Sequence, residues 1–301
     1  MPGRWKPCYK ADMSFSGEVV AAFGLQHGVR LIEDGSLLAC VTRGKKTDVV
    51  CGDRVTVKQT GPGQGVIEQI LPRSALLYRS DAFRQKRIAA NVSQLIIVVA
   101  TEPSFSDELL ARSLVAAQHE QLKVLIVLNK CDLQAAAEPA RARLAVYRTL
   151  GYEVLELSAV QDASALRPYL QGQRSVLLGQ SGMGKSTLIN ALLPDAQAAT
   201  REISAVLDSG KHTTTHAKLY HLDADSSLID CPGVQAFGLH HLTFGEIELG
   251  FVEFAPYLGQ CRFANCRHDQ EPGCALRQAA QSGAVDARRF ELFRQIVTVR
   301  A

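Results

Sequence analysis

The sequence predicts an α/β protein: a mostly parallel sheet covered by helices, with a small β-barrel before it and a helical metal-binding unit after it. Three observations carry that expectation. Strand-sized apolar runs alternate with helical spacings from Gln94 onward, five short β-runs crowd between Glu18 and Ile70, and three cysteines with a histidine gather near the C-terminus. A chain of 301 residues is long enough for two or three such units, and 47% hydrophobic with 21% charged residues is ordinary for globular proteins.

The first β-runs are Glu18–Phe23, Gly28–Ile32, Leu37–Val41, Asp53–Lys58 and Gln64–Ile70, punctuated by Asp34-Gly35, Arg43-Gly44 and Gly61-Pro62-Gly63. Five strands in so little chain fit a closed barrel of the OB or SH3 kind. Arg73 to Arg87 reads as a polar connector with five basic residues and one acid, either a solvated linker or a contact to phosphate backbone. Then Gln94–Thr101 reads as a buried strand, Ser106–His119 as a helix, and Val124–Leu128 as a strand. Pro139–Leu150 reads as a helix, Glu153–Leu157 and Arg174–Leu178 as strands, and Lys185–Leu193 as a helix. Past Leu242 the pattern is helical, with spacings at Leu276–Gln281 and Asp286–Val299.

Composition narrows the function. No stretch approaches the roughly 20 apolar residues that a membrane-spanning helix needs, and no apolar segment follows the basic N-terminus. The expectation is a cytoplasmic monomer with no membrane partner. A net charge of +3 does not by itself mark a nucleic-acid binder. Eight cysteines without an export signal argue for free thiols or metal rather than disulfides.

Gly179-Gln180-Ser181-Gly182-Met183-Gly184-Lys185-Ser186 matches G-x-x-x-x-G-K-[ST] between a strand and a helix, and Thr187 follows it. The glycines let successive N–H groups face phosphate oxygens at the helix's positive end. Lys185 would neutralise the β- and γ-phosphates, and the Ser186 hydroxyl would ligate Mg²⁺. Asp230-Cys231-Pro232-Gly233 ends an apolar run, so Asp230 would hold Mg²⁺ through water and the Gly233 N–H would meet the γ-phosphate. Asn129-Lys130-Cys131-Asp132 is N-K-x-D. Its Asp carboxylate can accept from guanine N1–H and the exocyclic amine, a pair of donors that adenine lacks. Lys130 would lie along the base, Asn129 would tie this loop to the phosphate loop, and an N–H at Ser158-Ala159 would meet guanine O6.

The order is unusual. N-K-x-D and Ser158-Ala159 precede the phosphate loop, as if a GTPase chain had been closed at its ends and opened after D-x-x-G. His212-Thr213-Thr214-Thr215 lies where a switch belongs. Thr213 or Thr214 would complete the Mg²⁺ shell and sense the γ-phosphate; both remain candidates. Val234 stands where many GTPases carry the glutamine that orients water, so intrinsic turnover should be slow, with His212 a candidate substitute.

Cys261, Cys266, His268 and Cys274 form C-x4-C-x-H-x5-C, a closed tetrahedral donor set for a structural Zn²⁺. Redox-active thiols are the alternative. Together these motifs resemble the RsgA (YjeQ) family of circularly permuted GTPases. Ala89-Ala90-Asn91-Val92, Gly210-Lys211-His212-Thr213-Thr214-Thr215 and Gly250-Phe251-Val252-Glu253-Phe254 add to the likeness, which covers essentially the whole chain.

The resemblance implies an OB-fold barrel contacting ribosomal RNA (1–72), a permuted P-loop GTPase domain (73–244) and a zinc-binding helical domain (245–301). It implies GTP hydrolysis to GDP, stimulated by the small (30S) ribosomal subunit late in its maturation. GTP-binding positions carry over to Asn129–Asp132 and Gly179–Thr187, zinc ligands to the Cys/His set, and a catalytic switch histidine to His212. Cys231 departs from the family's usual serine, and the N-terminal extension is short. Two other readings stand beside this one: a GTP-gated RNA-binding switch whose turnover is incidental, and a metal-handling GTPase.

Overall fold

The computed structural model describes residues 14–44, 48–80, 85–194, 217–231 and 238–298. Five strands open the chain: β1 (Ser14–Phe23), β2 (Gln26–Leu31), β3 (Leu37–Thr42), β4 (Arg54–Gly61) and β5 (Gln64–Ile70). Pairing runs β1-β2-β3-β5-β4 and returns from β4 to β1, so this part of the sheet closes on itself. Alternation explains the closure: Val19, Val29, Leu31, Leu38, Cys40, Val55, Val57 and Ile67 all bury into one small core.

The stretch read as a polar connector is instead a hairpin, β6 (Leu76–Ser80) with β7 (Gln85–Ala90). Leu77, Ile88, Ala89 and Ala90 are buried, which is what pins it down. The basic residues between them masked that apolar pattern in the sequence.

The main sheet contains β8 (Gln94–Ala100), β9 (Lys123–Asn129), β10 (Glu153–Glu156), β11 (Arg174–Leu178), β12 (Lys218–His221) and β13 (Ser227–Asp230), in the order β10-β9-β8-β11-β13-β12. All pairs are parallel except β12 with β13. Every residue of β8 is buried, as expected for a strand covered on both faces. Among the described residues four helices serve this sheet: α1 (Asp107–His119), α2 (Gln134–Thr149), the short α3 (Arg167–Leu170) and α4 (Lys185–Leu192). Ser106 caps α1 by accepting from Leu109 N at 3.1 Å, and Asp107 and Glu108 complement the helix dipole. The α2 helix begins five residues before Pro139 and carries the proline inside it; Ala137, Ala140, Leu144 and Tyr147 bury along one face and hold the helix by packing.

Barrel and sheet join where Ala21 of β1 pairs with Lys218 of β12. Beside that bridge Glu18 is in contact with Arg174 of β11 and lies 3.2 Å from His221. Burial pushes the Glu18 carboxyl up, but His221 and Arg174 outweigh it and hold it below the usual carboxylate range. Arg174 also donates to Gly52 O at 2.9 Å.

The C-terminal region holds α5 (Phe244–Leu249), a 3₁₀ turn (Val252–Tyr257), α6 (Ala275–Gln281) and α7 (Ala287–Thr298). Gly250 lets this region seat on α1, since a Cβ there would meet Val115 at 2.7 Å. Phe251 and Phe254 stack at 5.0 Å, and both meet Phe293 edge-on. Arg289, 1% exposed, forms a forked pair with Glu253 and lies 4.5 Å from the Phe251 ring centroid.

Candidate functional site

Three loops at the C-terminal ends of β9, β10 and β11 meet around one small cleft, the usual place for a ligand on an open parallel sheet. Its lining includes Asn129, Lys130, Asp132, Ser158, Gly184 and Thr187, with apolar Leu133 and Val160 beside them. The parallel register of the strands sets this meeting: Ala100 of β8 aligns with Asn129, and Glu156 with Leu128.

Asn129 is the node. Its side-chain amide donates to Met183 O at 2.9 Å, and its Oδ1 accepts from Ala159 N at 2.9 Å. One buried side chain therefore fastens the 129–132 loop to both the glycine loop and the 158–159 turn. Ala159 N–H is engaged by this contact, so an acceptor on a ligand would share it. Gly184, at φ +88°, stands where a Cβ would fall 2.2 Å from Asn129 Nδ2; the contact and the left-handed backbone both require glycine. Asp132 Oδ1 accepts from Ser158 Oγ at 2.5 Å, which orients the carboxylate at the cleft wall. Lys130 adopts φ +64°, with its ammonium donating to Glu102 O at 2.7 Å. Cys131 also lies in this loop, its Sγ 3.3 Å from Leu128 O, and burial pushes its thiol up.

The glycine loop runs from Gly179 to the start of α4 at Lys185. Lys185 Nζ donates back to Gly179 O at 2.6 Å and Gln180 O at 2.7 Å, so the ammonium is held over the loop. Burial lowers its pKa, and Asp230 nearby partly offsets this. Asp230, opposite Leu177 in the β11–β13 register, is pushed up by burial and drawn back by Lys185 and Lys218. Ser181, Ser186 and Thr187 are exposed, Met183 is buried and Gln180 half-buried. A hydroxyl at Ser186 and a carboxylate at Asp230 are hard oxygen donors, the kind Mg²⁺ takes. His212, Thr213, Thr214, Gly233 and Val234 lie outside the described residues.

The second cluster is compact. The ligand atoms of Cys261, Cys266, His268 and Cys274 all lie within 4.8 Å of one another. His268 Nδ1 is 3.5 Å from Cys261 Sγ and 3.3 Å from Cys274 Sγ. Its other ring nitrogen faces Glu248 Oε1 at 2.5 Å, the carboxylate–imidazole arrangement that orients metal-bound histidines. These residues could bind a metal ion, and soft thiolates with one imidazole suit Zn²⁺.

Some contributors were not singled out from sequence. Lys218 faces Asp230 directly across β12 and β13, and Glu248 of α5 backs His268, which lies in the irregular segment before α6. Cross-strand register and the packing of α5 place them, and no local motif marks either one.

Residues 70–240 match the family described as RsgA GTPase. A protein of Nitrosospira multiformis named small ribosomal subunit biogenesis GTPase RsgA is 57% identical over 281 residues, 93% of this chain and 90% of its own length. One of the same name from Burkholderia pseudomallei is 53% identical over 296 residues, 97% and 94% of the two chains. Among solved structures, YjeQ from Thermotoga maritima superposes with a TM-score of 0.72 at 28% identity, covering 96% of this chain and 99% of its own. YloQ, described as a circularly permuted GTPase, reaches 0.69 at 25%, covering 98% of each chain. With the family matched over more than half its length and relatives alike from end to end, this chain belongs to the RsgA GTPases.

Proposed function

We propose that this chain binds GTP, hydrolyses it to GDP and phosphate, and does so in the maturation of the small (30S) ribosomal subunit. The observation that carries the reading is the double hydrogen bond of Asn129, which binds three loops into one pocket although they are out of the usual chain order. In that pocket Asp132 reads the guanine edge and Lys130 lies along the base. The amides of Gly179–Thr187 and the Lys185 ammonium take the phosphates. Ser186, Asp230 and Thr214 are the proposed Mg²⁺ contacts; bound there, Mg²⁺ would neutralise charge on the β- and γ-phosphates. Gly233 and Thr213 are proposed to touch the nucleotide, and His212 to position the attacking water, because Val234 has no polar atom for that task.

The relatives' printed name supports the small-subunit role. On this reading residues 1–72 contact ribosomal RNA, 73–244 form the GTPase unit, and 245–301 are held by one structural Zn²⁺. Among the described residues no helix is long and apolar enough to cross a membrane; a cytoplasmic monomer is part of the same proposal.

The test is the GTP hydrolysis rate with and without added small subunits, at several salt concentrations. Slow turnover alone and a marked acceleration with subunits are expected, weakening as salt rises. Equal rates would sink the subunit assignment, and equal affinity for ATP and GTP would sink the guanine site.

A further inference from the structure

The segment between β8 and α1 touches both halves of the nucleotide pocket. Thr101 Oγ1 donates to Lys130 O at 3.1 Å, and Glu102 O accepts the Lys130 ammonium at 2.7 Å. Lys130 therefore has its carbonyl and its charge anchored on the same short stretch. That matters because its left-handed φ of +64° is unfavourable for a non-glycine residue and persists only where neighbours over-determine it. A few residues on, the Ser106 N–H donates to Gln180 Oε1 in the glycine loop at 2.7 Å. The Pro103 ring lies 3.4 Å from where a Gly182 side chain would begin.

The same segment is gripped from behind by one side chain. Arg143 of α2 donates to Ser104 Oγ, Phe105 O and Asp107 Oδ1, each at 2.7 Å, and its guanidinium covers the Phe105 ring at 3.8 Å. Arg288 of α7 reaches the other Asp107 oxygen at 3.3 Å, so the C-terminal region also holds this point.

We propose that Thr101–Asp107 is a positioning strut for the nucleotide site, with Arg143 the residue that locks it and Arg288 a weaker brace from the C-terminal region. The strut sets the 129–132 loop and the 179–184 loop at a fixed separation, so base and phosphates are met at once. The inference rests on the GTP-binding reading. Arg143 touches no substrate; it acts through Gln180 and Lys130. Without the fork the two loops keep the direct Asn129–Met183 link but lose the second reference that the strut supplies, and misplacement on the scale of an ångström is expensive in a preorganised site.

The experiment measures GTP affinity by titration calorimetry for the full chain, Arg143→Gln, Gln180→Ala, the double variant and Arg288→Gln, well below each protein's Tm. Arg143→Gln is expected to weaken GTP about tenfold, and Arg288→Gln by about twofold. The double variant should be no weaker than the worse single one, because both changes interrupt one connection. A purely structural role would lower Tm and leave affinity unchanged. Unchanged affinity in Arg143→Gln, or losses that simply add, would overturn the strut. If Arg143→Gln does not fold, Asp107→Asn replaces it with the same criteria. Failure of the unaltered protein to bind GTP would instead defeat the proposed function.

Discussion

Asp132 is set by Ser158 before any ligand arrives, with 2.5 Å between Oγ and Oδ1. A carboxylate held that way can accept from two donors on one base edge and offers none. Asp132→Asn replaces one acceptor by a donor, so GTP affinity should fall roughly 10³-fold or more, while xanthosine triphosphate, which carries a carbonyl in place of the exocyclic amine, should gain. Competition binding with the two nucleotides checks this; an unchanged preference for GTP would remove Asp132 from base recognition. At this scale the meeting of the loops was legible, since N-K-x-D and G-x-x-x-x-G-K-S are each read in local order and Asn129 brings them together. Lys218 and Glu248 were not, because each meets its partner through strand register or helix packing, which short spacing does not encode.

At the scale of elements, the Gly250–Phe254 stretch is a docking motif. Gly250 clears Val115, the two phenylalanines stack, and Glu253 pairs with the buried Arg289. Removing one partner of a buried ion pair leaves the other charge without compensation. Glu253→Ala should therefore cost about 3–5 kcal/mol in urea unfolding, against less for an exposed pair such as Arg43–Glu68. Glu248 orients His268, so Glu248→Ala should weaken Zn²⁺ binding about 10–100-fold against a chromophoric chelator while leaving GTP affinity alone. Unaltered metal affinity would reduce Glu248 to a packing role. Most strands and long helices followed from periodicity. The β6–β7 hairpin did not, because its buried residues sit among arginines and lysines, and four-residue β12 is too short for alternation to register.

Across the whole molecule, the barrel is docked through Glu18, Arg174 and His221. Glu18 has a folded pKa below its ordinary 4.5, so its contribution is full above that range and is lost as pH falls through the depressed value. Glu18→Gln should lower Tm at neutral pH, and the gap to the unaltered protein should narrow as pH drops from about 5 toward about 3. A gap that stays constant with pH would show that charge plays no part in the docking. The permuted order was readable because motif sequence survives a change of termini, whereas the seating of barrel on sheet uses long-range contacts, the Ala21–Lys218 bridge and the Glu18–Arg174–His221 cluster, that no pattern announces.

That bridge has a further effect on how the protein meets copies of itself. With the barrel closed through β4 and bridged to β12, the eleven-stranded sheet of the described residues ends on its other side in the four residues of β10. Glu156 there is engaged by Arg141 and Arg148, and Glu153 by Tyr169. A short acidic border already occupied by its own side chains is a poor template for adding a foreign strand, so this margin resists edge-to-edge clumping.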